Sequence, residues 1–193
     1  MLEQRTEDLM AFGTLIENPK TGRILIVDDQ DENVQLLQCL LKDAGFENIT
    51  CTTDARTVVS LCREVEPDLI MLDLHMPLVN GFDVMKHIEN VLQPQIYLPI
   101  LVLTGDIALE TRRAALDAGA KDFLNKPFDA VEVALRAKNL ITTRFLHLRL
   151  QAYARLLAEK LCSTNELLAR KLPLRSRSVR LSERLPSLGH HLG

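Results

Sequence analysis

Residues 68–84, DLIMLDLHMPLVNGFDV, decide how this chain folds. Leu69-Ile70-Met71-Leu72 is an apolar run with no polar alternation, which predicts a strand buried on both faces. The run ends on Asp73. Pro77 and Gly81 then break the chain, and a helical pattern follows from about Phe82 to Leu92. Outward from this stretch the same unit repeats. Ile24-Leu25-Ile26-Val27 predicts a first buried strand, and Val34, Leu37, Leu40, Leu41 and Ala44 a helix that stops at Gly45. Ile49 to Cys51 is a weaker strand. Ala55, Val58, Val59, Cys62 and Val65 mark a helix that stops before Pro67. Pro99 to Leu103 is a fourth strand, Ile107 to Ala118 a helix ended by Gly119, and Phe123-Leu124 part of a short fifth strand. Asp129 and Glu132 have capping-box spacing and open a last helix. Five strand–helix units in about 120 residues demand a doubly wound parallel sheet, an α/β fold with helices on both faces.

In such sheets the chemistry lies beyond the carboxyl ends of the strands. Strand one runs into Asp28-Asp29, strand three into Asp73 and strand four into Thr104. Strand five is followed by Asn125-Lys126-Pro127. A single Asp after a strand is commonly only a cap or turn residue. Here five suitable residue types occupy four strand ends. Two carboxylates about 4 Å apart repel by roughly 4 kcal/mol at an effective dielectric of about 20. Three together call for a hard divalent cation such as Mg²⁺, with Lys126 balancing more of the charge. The edge is prepared for an anionic ligand that arrives with its metal.

The segments ILIVDD (24–29), DLIMLDLHMPLVNGFDV (68–84), PILVLTG (99–105) and AGAKDFLNKPF (118–128) resemble the receiver domain of bacterial response regulators. The resemblance spans residues 22–141. It implies a flavodoxin-like strand order, 2-1-3-4-5. It also implies that Asp73 accepts a phosphoryl group from a histidine kinase or phosphotransfer protein. Asp28, Asp29, Asp73 and the backbone carbonyl of His75 would hold Mg²⁺. Thr104 is the implied switch hydroxyl, Phe123 the switch aromatic, and Lys126 the partner of the phosphoryl group, with Pro127 in a cis bond. Met76, Pro77 and Gly81 would shape the loop, and the side chains of His75 and Asp106 would flank the path of the hydrolytic water. Such a domain is no enzyme acting on a separate substrate, although it can promote its own dephosphorylation.

The rest of the chain divides into a leader (1–21), an extended C-terminal helix (142–172) and a basic tail (173–193). The leader could place Leu2, Leu9, Met10, Phe12, Leu15 and Ile16 on one helix face. From Asp129 to Leu172 there is no glycine. Leu140, Thr143, His147, Leu150, Ala154, Leu157, Leu161, Thr164 and Leu168 approximate a heptad seam, which predicts a coiled coil and a homodimer. Residues 134–151, ALRAKNLITTRFLHLRLQ, look like the linker of regulators that carry a cyclic-di-GMP phosphodiesterase or similar output domain, here without that domain. From Arg170 onward there are six Lys/Arg and one Glu, but no aromatic residue to stack bases, which disfavours a nucleic-acid partner. Net charge is −3, and no apolar stretch approaches the ~20 residues of a membrane span. The four cysteines form no C-x-x-C pair, and three fall on patterns that read as buried, which fits a reducing cytoplasm. The alternative to a phosphorylated switch is a dimerising adaptor in which phosphorylation is incidental.

Overall fold

The computed structural model of the protein describes residues 18–77, 79–91, 97–105 and 108–171, with side chains to 167. The leader face at residues 2–16, Asp106, Ile107 and the 173–193 tail lie outside the described residues. The chain divides into two units, Met1–Ala152 and Tyr153–Gly193.

The first unit is built on five strands: β1 (Ile24–Val27), β2 (Ile49–Thr52), β3 (Leu69–Asp73), β4 (Ile100–Thr104) and β5 (Asp122–Asn125). All pair in parallel, in the order β2-β1-β3-β4-β5. The helices are α1 (Asp31–Asp43), α2 (Val58–Val65), α3 (Gly81–Val91), α4 (Leu109–Asp117) and α5 (Ala130–Lys171). The strand order and the extended last helix are those expected from the sequence.

Pleat alternation sorts the apolar strand residues into two layers. Ile24, Ile26, Leu69, Met71, Leu101, Leu103 and Leu124 pack with Leu37 and Leu41 of α1 and Val133, Ala137 and Ile141 of α5. Leu25, Val27, Ile70, Leu72 and Val102 pack with Val58 and Cys62 of α2, Val84 and Ile88 of α3, and Ala115 of α4. The three central strands are buried along their whole length, which is why their sequences carry no polar alternation. Edge strand β2 is only half-buried, matching its weaker apolar signal.

Three local details differ from the sequence reading. The second helix opens with a 3₁₀ turn, Ala55–Thr57. Asp54 takes the Arg56 N–H at 3.0 Å, and the Thr57 hydroxyl donates to the Asp54 carbonyl at 2.7 Å, so the chain tightens before the α-helix starts. The capping box is half made. Asp129 Oδ1 accepts the Glu132 N–H at 2.8 Å, but the Glu132 carboxylate turns to Arg136 at 2.7 Å instead of reaching back. The cysteines are less buried than their patterns suggest. Cys62 is buried and Cys51 half-buried, while Cys39 and Cys162 are exposed. Burial pushes the Cys62 thiol up to about 11 and raises that of Cys51 despite Lys42 nearby.

Helix α5 is fastened to the first unit past residue 141. Phe145 is buried with the α1 layer. The Arg144 guanidinium donates to the Tyr97 carbonyl and lies 3.8 Å from the buried Asp68 carboxylate. His147 stacks on the Tyr97 ring at 4.2 Å. In the second unit Leu157, Leu161 and Leu167 are exposed. Among the described residues no helix is long and apolar enough to cross a membrane.

Candidate functional site

The carboxyl edge of the sheet gathers the polar residues expected there. Asp28, Asp73 and Thr104 are all buried, in a molecule whose other buried polar or charged residue, among those described, is Asp68 at the opposite edge. Burying carboxylates is costly unless each is paired, and the pairing is specific. Lys126 Nζ donates to Asp28 Oδ2 at 2.7 Å and to Asp73 Oδ2 at 2.9 Å. Asp28 Oδ1 accepts the Gln30 N–H at 3.0 Å and the Asn33 side-chain amide at 3.1 Å. Asp73 Oδ1 accepts the His75 N–H at 3.3 Å. Burial would lower the Lys126 pKa, but the bonds to Asp28 and Asp73 and their charges outweigh it and raise the pKa above its ordinary value. The ammonium therefore stays charged across the physiological range.

Strand geometry explains this division of labour. Asp28, Asp73 and Lys126 follow the pleat parity of Ile26, Met71 and Leu124, the α1–α5 side. Thr104 and Phe123 follow the parity of Val102, the α3–α4 side, and Phe123 packs against that layer. The three charged residues and the hydroxyl–aromatic pair thus approach the edge from opposite faces.

Asp28, Asp29 and Asp73 each offer a carboxylate oxygen, all within 4.8 Å of one another. Asp29 Oδ1 is buried with no hydrogen-bond partner among the described residues. An orphaned carboxylate oxygen beside two others suits a hard divalent cation, which prefers oxygen ligands. The donor set fits Mg²⁺.

Gly81 is a structural member of the site. A Cβ there would lie 2.5 Å from the Asp73 carbonyl oxygen and 2.8 Å from Leu74 Cα, both backbone atoms that cannot swing aside. The Gly81 N–H also donates to the Leu74 carbonyl at 3.1 Å. The sequence reading marks this glycine as a break before a helix and a shaper of the loop after Asp73, and the structure makes it the place where α3 presses on the strand that carries Asp73. Gly81→Ala is expected to destabilise the domain by about 1–3 kcal/mol through overpacking and to displace Asp73. Urea unfolding checks this, and an unchanged midpoint would count against it.

Of the residues expected from the sequence, Asp28, Asp73 and Lys126 are joined directly by hydrogen bonds, and Asp29 stands within ligand distance. Thr104 is buried at the end of β4, and the Lys126 N–H donates to its carbonyl at 2.8 Å. His75 is exposed and Phe123 half-buried. The Lys126–Pro127 bond is cis. Arg112 and Asn125 were not foreseen. The Arg112 guanidinium donates to Asn125 Oδ1 at 3.1 Å and lies 4.6 Å from the Phe123 ring centroid. Nothing in the sequence spacing points to this contact, because it depends on how α4 is rotated against β5.

Fold and site together define the class: a doubly wound domain with a buried acid cluster, a lysine bridging it, and a hydroxyl at the next strand end. Residues 24–138 match the family described as the response regulator receiver domain, and the chain belongs to it. It is a receiver domain of two-component response regulators, a family that is generally a non-enzymatic signalling module. The sensory/regulatory protein RpfC of Xanthomonas campestris is 38% identical over 115 residues, covering 59% of this chain and 16% of that protein. The probable transcriptional regulatory protein TcrX of Mycobacterium tuberculosis is 34% identical over 118 residues, covering 61% of this chain and 49% of that one. The match thus spans half or less of these relatives. Among solved structures, the chemotaxis protein CheY4 of Vibrio cholerae superposes with a TM-score of 0.56 at 28% identity, over 63% of this chain and 98% of that one. The receiver domain of the Francisella response regulator 1452 gives 0.57 at 24% identity, over 65% of this chain and 99% of that one, a likeness of fold.

Proposed function

We propose that Asp73 accepts a phosphoryl group from the phosphohistidine of a histidine kinase or phosphotransfer protein, with Mg²⁺ bound at the acid cluster, in a cytoplasmic setting. The observation that carries this is the Asp73 side chain itself. It is buried and bridged to Asp28 by Lys126, with the Asp29 carboxylate also within ligand distance. Phosphoryl transfer requires positioning and charge neutralisation more than covalent assistance. Asp28, Asp29, Asp73 and the His75 backbone carbonyl would hold the cation, which when bound neutralises phosphoryl oxygens. Lys126 is placed to pair with those oxygens as well. Asp73 attacks phosphorus through an ionised oxygen, the bond from phosphorus to histidine nitrogen breaks, and no general base is needed. The new phosphoryl oxygens are strong acceptors. Thr104 would turn to donate to them and Phe123 would turn inward behind it, shifting the population between two packings. The domain could then promote its own dephosphorylation, with His75 at the mouth of the site. Incubation with acetyl phosphate and Mg²⁺, followed by intact mass, tests the assignment. A gain of one phosphoryl group is expected, and no gain from either acetyl phosphate or a phosphorylated kinase would overturn it.

The leader, the receiver domain at 22–141, the extended helix at 142–172 and the basic tail at 173–193 are proposed as functional segments. The extended helix is proposed to pair with a second copy. Its exposed Leu150, Leu157 and Leu161 support this, all on the heptad seam. Thr143 and His147 do not serve the seam, since Thr143 bonds the Asn139 carbonyl of its own helix and His147 stacks on Tyr97. Pairing therefore begins near Leu150. Leu150→Glu with Leu157→Glu is expected to turn a dimer into a monomer in light scattering while leaving phosphorylation unchanged. A dimer that survives both changes would place the interface elsewhere.

A further inference from the structure

The ring of Phe123 has two guanidiniums close to it. It belongs to edge strand β5, so helices from both faces of the sheet reach it. The Arg112 guanidinium of α4 lies 4.6 Å from the ring centroid and that of Arg136 of α5 lies 5.8 Å away. Each arginine is fixed by other bonds. Arg112 Nη2 donates to Asn125 Oδ1 at 3.1 Å, the residue before Lys126. Arg136 donates to Glu132 at 2.7 Å and to the Asp122 carboxylate, the residue before Phe123. The Arg112 Nε–H is buried without an acceptor among the described residues, so this guanidinium depends on its remaining contacts, the ring among them.

We propose that Arg112 and Arg136 clamp Phe123 in its half-exposed position and thereby set how readily the switch turns. The inference rests on the reading of Phe123 as the switch aromatic. A cation over an aromatic face is attracted to its electron density, more strongly when partly desolvated and at short range. Arg112, the closer of the two and with its Nε buried, dominates. A ring that leaves for the interior gives up both contacts. Arg136 then keeps its two carboxylates, whereas the Arg112 guanidinium keeps, among the described residues, only Asn125. Arg112 is thus a positioning residue that ties the ring to the segment carrying Lys126. Losing one such contact raises the turned population about two- to fivefold. A ligand selective for that state binds more tightly by the same factor while the state remains minor.

The test uses full-length protein carrying 4-fluorophenylalanine, read by fluorine NMR, with the Phe123 signal assigned through Phe123→Leu. Beryllofluoride with Mg²⁺ is the probe of the phosphorylated state. Arg112→Gln keeps an amide donor for Asn125 but removes the charge, and Arg112→Lys keeps the charge. Arg112→Gln is expected to move the resting Phe123 signal toward its beryllofluoride-bound position and to tighten beryllofluoride binding two- to fivefold. Arg136→Gln should do the same to a smaller extent, and Arg112→Lys should stay close to the unmodified protein. If the Phe123 signal responds to beryllofluoride but none of the variants shifts it or the affinity, the clamp is wrong and the switch reading stands. If beryllofluoride binds without moving the Phe123 signal at all, the switch role falls and the clamp with it.

Discussion

Asp73→Asn is expected to abolish phosphoryl uptake, cutting incorporation from acetyl phosphate by more than about a hundredfold. The reason is electronic before it is geometric. The attacking atom must be an anionic oxygen, and an amide oxygen carries no such charge. The asparagine is nearly the same size and fits the same slot at the end of β3. Lys126 keeps Asp28 at 2.7 Å as its partner, so the ammonium is not stranded. The change also removes one of three crowded negative charges, which offsets the lost bond of 2.9 Å to Lys126. The fold should therefore persist, with an unchanged far-ultraviolet circular dichroism spectrum beside an unchanged intact mass after acetyl phosphate treatment. Phosphoryl labelling that survives in a folded Asp73→Asn protein would move the acceptor to another residue.

Lys126→Ala has the second large effect, and it appears first in stability. Among the described residues Lys126 is the one ammonium bridging Asp28 and Asp73. Its removal leaves buried carboxylates facing each other without compensation. Breaking a buried pair in this way costs about 3–5 kcal/mol, and the partial exposure of the lysine places the expectation near about 3. A divalent cation at the same carboxylates can supply the missing positive charge. Mg²⁺ at about a hundred times its dissociation constant stabilises by about 2.7 kcal/mol. Thermal unfolding with Mg²⁺ and with chelator should show the variant gaining more from the metal than the unmodified protein does. An equal gain in both would mean that lysine and metal do not share the charge of the cluster. The pH dependence follows from the same contact. The Lys126 pKa is raised above its ordinary 10.5, so on going up from neutral pH the pairing keeps its full effect to about that value and fades as pH climbs through the raised one. From neutral pH upward, the stability difference between the two proteins should shrink only in strongly alkaline solution.

Much of this was legible in the sequence because the signals are local. Ile24–Val27 and Leu69–Leu72 lack polar alternation because both faces of those strands are covered, and the strand ends put Asp28, Asp73, Thr104 and Lys126 on one edge. Each of those inferences needs only neighbours within a few residues. The errors also have local causes. Asp129 and Glu132 have the right spacing, but Arg136 competes for the Glu132 carboxylate and leaves the cap half made. Cys39 lies off the apolar stripe of Val34, Leu37 and Leu41 on α1 and faces solvent, because burial on a helix follows its 3.6-residue period.

The sequence by itself thus determined the element order, the parallel sheet and the identity of the acidic edge. Periodicity, breakers and strand ends are properties of short windows and survive any tertiary arrangement. Only the tertiary structure decided which groups meet. Lys126 reaches Asp28 across 98 residues of chain, Gly81 presses on the Asp73 backbone, and His147 stacks on Tyr97. Arg112 and Arg136 converge on Phe123 from helices on opposite faces of the sheet. Such contacts depend on pleat phase, helix rotation and the packing of two layers at once, and close packing fixes them only when the whole core is assembled.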